Sequence, residues 1–493
     1  MRQPITPSTQ TPAPADPTPA DPTPEDLVPP DASRPGLALF TLATGQLMII
    51  VDVTVVTIAV PLIRTDLHFS TTGLSWVLNA YLIAFGGLLL LGGRLGDLIG
   101  RRRTLRAGIA LFTAASLLAG CAPSAGWLLA ARGLQGVGGA LASPSVLALI
   151  ATVFTGQRRV RAMAVFSTVT GVGLAGGLMV GGALTEWASW RWVFWINVPI
   201  GMLLIGLLPR AVPQQPGRPG RLDVAGAVSG TATAAAVVYT VIRAAGDGWG
   251  DRWTLAVGVT ALAALVTFVL VERRAPEPIL PGRLLTDRLR TAAYLVVLGM
   301  PAAMFGVFFF LGQYLQFVRG ANPLQTGLAY LPLALAQLGT LRLTPRLLAR
   351  LGPTWLVTTG VAMAAVSTGW LSLLTTSTSY VSGVLGPMLL LGTGVGLAFL
   401  PLNIVIVTGA GPDSGAASGL LQTLQQIGGA LGLAVLVTVY DHASTGQTGP
   451  TALTHGAAAG FRTAAAIALV TTVFAAVGLR KRSERSAVAD PGR

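Results

Sequence analysis

The stretch GGRLGDLIGRRR, Gly92 to Arg103, sets one aspartate and four arginines between two long apolar runs. A charged side chain at the centre of a bilayer costs about 2.5–3.5 kcal/mol, so such a cluster marks a tight connection at a membrane face. The same alternation of apolar run and basic punctuation repeats along the chain. Each helical span needs about 20 apolar residues. Fourteen runs of that kind fall near 37–63, 76–95, 104–122, 126–153, 162–185, 192–209, 222–243, 253–271, 291–317, 324–341, 354–374, 381–407, 415–440 and 460–479. The expected fold is an all-α polytopic membrane protein with 14 transmembrane helices.

Composition agrees with that reading. Of 493 residues, 52% are hydrophobic and 11% charged, whereas soluble domains carry about 25% charged residues. A net charge of +14 would suit nucleic acid, but the arginines form no single basic face. Of 33 Lys and Arg, 26 fall on the side that holds both termini and 6 on the other, with Arg132 alone deep inside a run. The positive-inside rule then puts both termini in the cytoplasm and makes lipid, not nucleic acid, the partner. Residues 1–35, with the tandem ADPTPADPTP at Ala15 to Pro24, are too rich in Pro and polar residues to bury a core and are expected to be a disordered tail; residues 481–493 form a second cytoplasmic tail. Cys121 is the sole cysteine, so no intramolecular disulfide forms, and no Cys/His cluster offers a metal site. His68, His442 and His455 are expected in outer connections. No cofactor is implied.

Single residues inside the runs carry the chemistry. In VDVTVVTIAVPLI, Val51 to Ile63, Asp52 is an acid well inside a span; removing a lone carboxylate from water favours its protonated form, so Asp52 is the candidate proton carrier. In LLAARGLQGVGGALASP, Leu128 to Pro144, Arg132 demands a carboxylate or backbone carbonyls as partner, with Gln135 one turn away. If Asp52 and Arg132 meet, protonating the acid weakens the pair and couples proton binding to the shape of the bundle. In GLAGGLMVGGAL, Gly173 to Leu184, glycines at four-residue spacing permit close backbone packing. Two more stretches stand out: SWRWVFWINVPIG, Ser189 to Gly201, whose tryptophans suit an interfacial belt, and TLQQIGGALG, Thr423 to Gly432. The segment TPRLLARLGPTW, Thr344 to Trp355, is a degraded echo of the opening stretch. Two related halves follow, over 36–209 and 276–480, with two inserted helices over 210–275. Internal repeats of this sort are a common build of secondary transporters, whose substrate lies between the halves near the midplane.

With these motifs, from about residue 37 to 480, the chain resembles the major facilitator superfamily, and within it the fourteen-span drug:proton antiporters. The resemblance implies a conformational switch at Gly93, Arg94, Asp97, Gly100, Arg101 and Arg102, a packing hinge at Gly173, Gly177, Gly181 and Gly182, and proton coupling through Asp52 and Arg132. Thr57 stands where relatives usually have Asn, Gln425 replaces a common Arg, and Leu178 replaces a proline, which leaves antiport and symport both open. Candidate cavity residues are Asn79, Tyr81, Gln135, Gln313, Tyr314, Gln316, Asn403 and Gln426, with Gln337 and Gln422 beside them; each serves equally as glue between helices. Phe305, Phe308, Phe309, Phe310, Tyr314 and Phe317 stack on a flat apolar compound or face lipid as a stripe. The expected activity is proton-coupled export of small lipophilic drugs, antibiotics or secondary metabolites by a monomer in a bacterial inner membrane, with proton-coupled uptake and sensing without transport as alternatives. The absence of a catalytic cluster argues against an enzyme, and the absence of a GxxxxGK[ST] loop against a nucleotide-driven pump.

Overall fold

A computed structural model describes residues 34–479 apart from 215, 218–222, 276–281, 285 and 408–413. The expected tails over 1–35 and 481–493 lie, except for residues 34 and 35, outside the described residues. Among the described residues the regular structure is helical, with no strand. The long helices are α1 (Pro35–Asp66), α2 (Trp76–Ile99), α3 (Arg101–Gly120), α4 (Ala125–Val153), α5 (Gly156–Trp187), α6 (Asn197–Ala211), α7 (Val224–Asp247), α8 (Arg252–Arg274) and α9 (Arg288–Gly306). Leu331–Leu371 breaks at Gly352 into α10 (331–351) and α11 (353–371), and α12 (Gly386–Val407), α13 (Ser414–Ser444) and α14 (Gly449–Gly478) follow. Ten segments among the described residues have the length and composition to cross a membrane.

Two details differ from the sequence reading. The opening stretch is less of a loop than its charge suggests: Gly93, Arg94 and Asp97 sit in the last turns of α2, and Gly100 alone connects α2 to α3, at φ 96°. Only glycine takes that backbone shape without strain. Gly352, at φ 75°, does the same between α10 and α11, so the echo in sequence is an echo in geometry. The second difference is at the histidines. His442 lies within α13 and His455 within α14 rather than in connections, because both helices run past the apolar runs that announced them.

In lipid, helices associate by close packing and interhelical hydrogen bonds rather than by a hydrophobic drive. Accordingly α1 packs on α5 and α6, α2 and α3 on α4, α9 on α13 and α14, and α11 and α12 on each other. Two seams join α1–α6 to α9–α14. Along one, α2 meets α13; at the other, α5 meets the short helix Pro323–Ala329. The inserted α7 covers the first seam by packing on both α2 and α13, while α8 leans chiefly on α7 and exposes Leu255, Val259, Leu262 and Val266. Asp251 caps α8 by accepting from the Thr254 amide at 2.9 Å. That bond, opposed by desolvation and aided by the Thr254 hydroxyl and Arg243, holds its carboxyl below the usual carboxylate range, so the cap persists at neutral pH and loosens only in strong acid.

The end of α9 departs from α-helical geometry in two π-helical turns, Val307–Leu311 and Tyr314–Val318. Such turns leave carbonyls without their usual i+4 donor, and they recur at functional positions. Tyr330 supplies the missing donor, its hydroxyl reaching the Phe308 carbonyl at 3.1 Å. The aromatic run is therefore core: Phe308, Phe309, Phe310 and Tyr314 are buried, Phe310 stacking on Tyr440 and meeting Phe461 edge-on. This excludes the lipid-facing stripe for those four.

Candidate functional site

Asp52 and Arg132 are both completely buried and form an ion pair, Arg132 Nη1 donating to Asp52 Oδ2 at 2.6 Å. Three more helices close around them. From α2, the Val77 carbonyl accepts from Arg132 Nε at 3.0 Å, and the Tyr81 ring lies under the guanidinium, 4.5 Å from centroid to Cζ. Such a face-on contact stabilises a desolvated cation by up to about 2 kcal/mol. Gln135, one turn beyond Arg132 on α4, accepts from Arg132 Nη1 at 2.9 Å and donates to Asp52 Oδ1 at 3.0 Å. Its nitrogen also reaches Ser116 Oγ on α3 at 2.7 Å. Asn197, the first residue of α6, donates to Asp52 Oδ1 at 2.9 Å.

Three neighbours therefore donate to Asp52, and the cage suits a carboxylate. A protonated carboxyl must itself donate, so uptake of a proton sets donor against donor and forces at least one partner to turn away. An apolar core of equal volume would hold these helices at least as well as a buried ion pair. Sequence reasoning found Asp52, Arg132 and Gln135 but not Ser116 or Asn197. Asn197 sits in the SWRWVFWINVPIG stretch, where an amide in an otherwise apolar run was the available signal.

The loop signature holds a second ion pair. Arg101 donates to Asp97 Oδ1 through Nε (3.1 Å) and Nη2 (2.8 Å), an i,i+4 pair half open to solvent that joins the end of α2 to the start of α3. Arg102 ties α3 to the end of α6, donating to the Val212 carbonyl at 2.9 Å. Gly93 keeps ordinary distance from Pro144, whereas Gly92 presses its backbone against the Ala140 carbonyl of α4. The close approach thus belongs to the glycine one position earlier.

On α5, Gly173, Gly177 and Gly181 form one stripe against α1: a side chain at Gly173 would meet Leu47, one at Gly177 would meet Thr54, and one at Gly181 the Val55 backbone at 2.8 Å. Gly182 faces the other way, to the Pro323 carbonyl (2.7 Å) and Leu324 Cα (2.9 Å), and Gly327 presses back against the Leu178 carbonyl. Nearby, Gln316 of the second π turn donates to the Ile58 carbonyl of α1 at 3.1 Å, and Arg64 reaches Gln313 at 3.4 Å. These contacts join α1 and α5 to the second set of helices at the end where α1 and α5 finish. Gly182→Val is expected to strain this seam at backbone atoms that cannot move aside. Spin labels placed across it should report a widened distance, and transport should fall at least about tenfold, against an unchanged distance if the seam tolerates the added carbons.

The remaining cavity candidates scatter. Tyr81 and Gln135 belong to the Asp52 cage, Gln426 packs on Gly86 at the α2–α13 seam, and Asn403 donates to Phe399 within its own helix. Tyr314 donates to the Thr375 carbonyl. Among the described residues, neither end of the buried Asn79 amide has a partner. At the end of α1, Asp66 accepts from Trp190 Nε1 (2.9 Å) and Arg191 (2.7 Å), so the tryptophan-rich corner pins α1 to the α5–α6 connection.

Residues 42–433 match the family model described as Major Facilitator Superfamily. The puromycin resistance protein pur8 of Streptomyces alboniger is 40% identical over 465 residues, 90% of this chain and 92% of its own length. The cephamycin export protein CmcT of Amycolatopsis lactamdurans is 40% identical across 85% of this chain and 88% of its own. The tetracenomycin C resistance and export protein of Streptomyces glaucescens is 34% identical across 82% and 75%. Among solved structures, a bacterial homolog of the human lysosomal transporter Spinster, in an inward-facing and unoccupied conformation, superposes with a TM-score of 0.65 at 17% identity, over 91% of this chain and 97% of that one. At that identity the likeness establishes the fold alone.

Proposed function

This chain belongs to the Major Facilitator Superfamily, and from that footing we propose that it is a proton-coupled antiporter exporting lipophilic antibiotics or related small molecules. The observation that carries the proton coupling is the completely buried Asp52–Arg132 pair inside a cage of donors. Export rests on relatives whose names record resistance to or export of puromycin, cephamycin and tetracenomycin. The ten membrane-competent segments, together with α3, α5, α10 and α11, are read as fourteen spans, with α7 and α8 inserted between two six-helix halves. Both termini then lie in the cytoplasm of a bacterial inner membrane, and the closed seam between α5 and Pro323–Ala329 lies on the outer side.

Mechanism follows from charge. With Asp52 ionised, Arg132 and two amides bind α1, α4 and α6 together. Protonation cancels the charge attraction to Arg132 and sets the new O–H against an amide donor, so the anchor shared by the three helices loosens until one amide turns. Since α1 also carries the Gln316 and Arg64 contacts of the outer seam, a change in its packing reaches that seam directly. Asp97, Arg101 and Arg102, with Arg94, act on the opposite face as the switch that fixes α2 to α3 and α6. The monomer is the transporting unit.

Inside-out vesicles containing the protein, with an inward-acid gradient imposed, test this reading on a panel of lipophilic antibiotics. Uptake that collapses with a protonophore is the expected result; uptake indifferent to the gradient would remove proton coupling, and accumulation in intact cells would point to import.

A further inference from the structure

We infer that Asn197 is the positioning residue that lets Asp52 exchange a proton, by turning its amide from donor to acceptor. The inference rests on the proton-coupling reading. The titratable groups facing Asp52 are Arg132 of α4 and Tyr81 of α2. Its hydrogen-bond partners are Arg132, Gln135 and Asn197.

A protonated Asp52 needs an acceptor among these groups. Arg132 has none to offer, because a guanidinium only donates. Gln135 is held at both ends: its oxygen accepts from Arg132 at 2.9 Å and its nitrogen donates to Ser116 at 2.7 Å. Turning it round would set amide N–H against guanidinium N–H. Ser116 cannot relieve this, since its own proton already goes to the Phe112 carbonyl at 2.8 Å. Asn197 is held by no second contact of that kind to the cage. A half-turn about its terminal torsion replaces N–H with C=O at the same place, which is the one exchange in the cage that keeps every other bond. Asn197 also starts α6, directly after the short helix Trp192–Trp195 and close in sequence to the corner where Trp190 and Arg191 hold Asp66.

Two variants in reconstituted inside-out proteoliposomes test this, with drug uptake followed across pH. Asn197→Leu removes a donor from the charged acid; a hydrogen bond to a charged group contributes more than one to a neutral group, so half-maximal uptake should move to higher pH by about one unit. Asn197→Asp keeps the shape and therefore the fold, but sets a second carboxyl against the first. Two such acids cannot both ionise, and the profile should move up by about two units. Asn197→Ser, which both donates and accepts, should restore the natural profile to within about half a unit. A merely structural role lowers uptake equally at all pH values, and unmoved profiles in both Leu and Asp variants overturn the assignment. If the natural chain ignores the proton gradient, the coupling reading falls and takes this one with it.

Discussion

Asp52→Asn is expected to bring gradient-driven drug uptake in inside-out vesicles down to the protein-free background while leaving equilibrium binding of the drug within about tenfold, or about 1.4 kcal/mol, of the natural value. The amide keeps the volume of the acid and its contacts with Gln135 and Asn197 in outline, so the helices still pack. What disappears is the carboxyl at the centre of the α1–α4–α6 junction. Substrate exchange without a gradient should survive, because alternation about the seams does not require the charge to be removed and restored. Gradient-driven uptake at the natural rate in this variant would move the proton site elsewhere.

The second large effect is on stability. Arg132→Leu leaves Asp52 completely buried without a counter-charge and takes the donor from the Gln135 oxygen and a side-chain donor from the Val77 carbonyl. Breaking a buried pair from one side costs about 3–5 kcal/mol, far more than the pair itself contributes against an apolar replacement. Thermal unfolding in detergent, followed by tryptophan emission, should show a clear fall in the midpoint. The double variant Asp52→Asn with Arg132→Leu should regain most of that loss, since no isolated charge remains. If the double variant is as unstable as the single, the cost lies in lost packing under Tyr81 rather than in the stranded carboxylate.

The fold was legible because membrane spans announce themselves by length and apolarity, a signal that needs no knowledge of neighbours. Asp52 and Arg132 were legible for the same reason: a charge inside such a run is costly enough to need a purpose and a partner. Ser116 and Asn197 were not, because small polar residues are ordinary in membrane helices and only the packing of α3 and α6 turns these two toward the cage. The aromatic run of α9 was ambiguous in sequence, since an apolar face reads alike whether protein or lipid covers it. The first π turn takes a hydroxyl donor from Tyr330, 22 residues further along, and so leaves no local mark in the sequence. At the glycines, spacing identified the α5 stripe, but only geometry separates Gly92, pressed against the α4 backbone, from Gly93, which keeps an ordinary distance from Pro144.

The cage also sets a problem of timing during synthesis. Asp52 belongs to α1, which is made before α4 and α6, since Arg132 lies 80 residues and Asn197 145 residues further along the chain. Until α4 and α6 emerge, α1 must reside in or beside the bilayer with none of the donors that hold its acid, at an insertion cost of about 2.5–3.5 kcal/mol. The remaining apolar length of α1 offsets that cost. The cage can therefore close only once the chain as far as Asn197 has been made and α4 and α6 have reached α1.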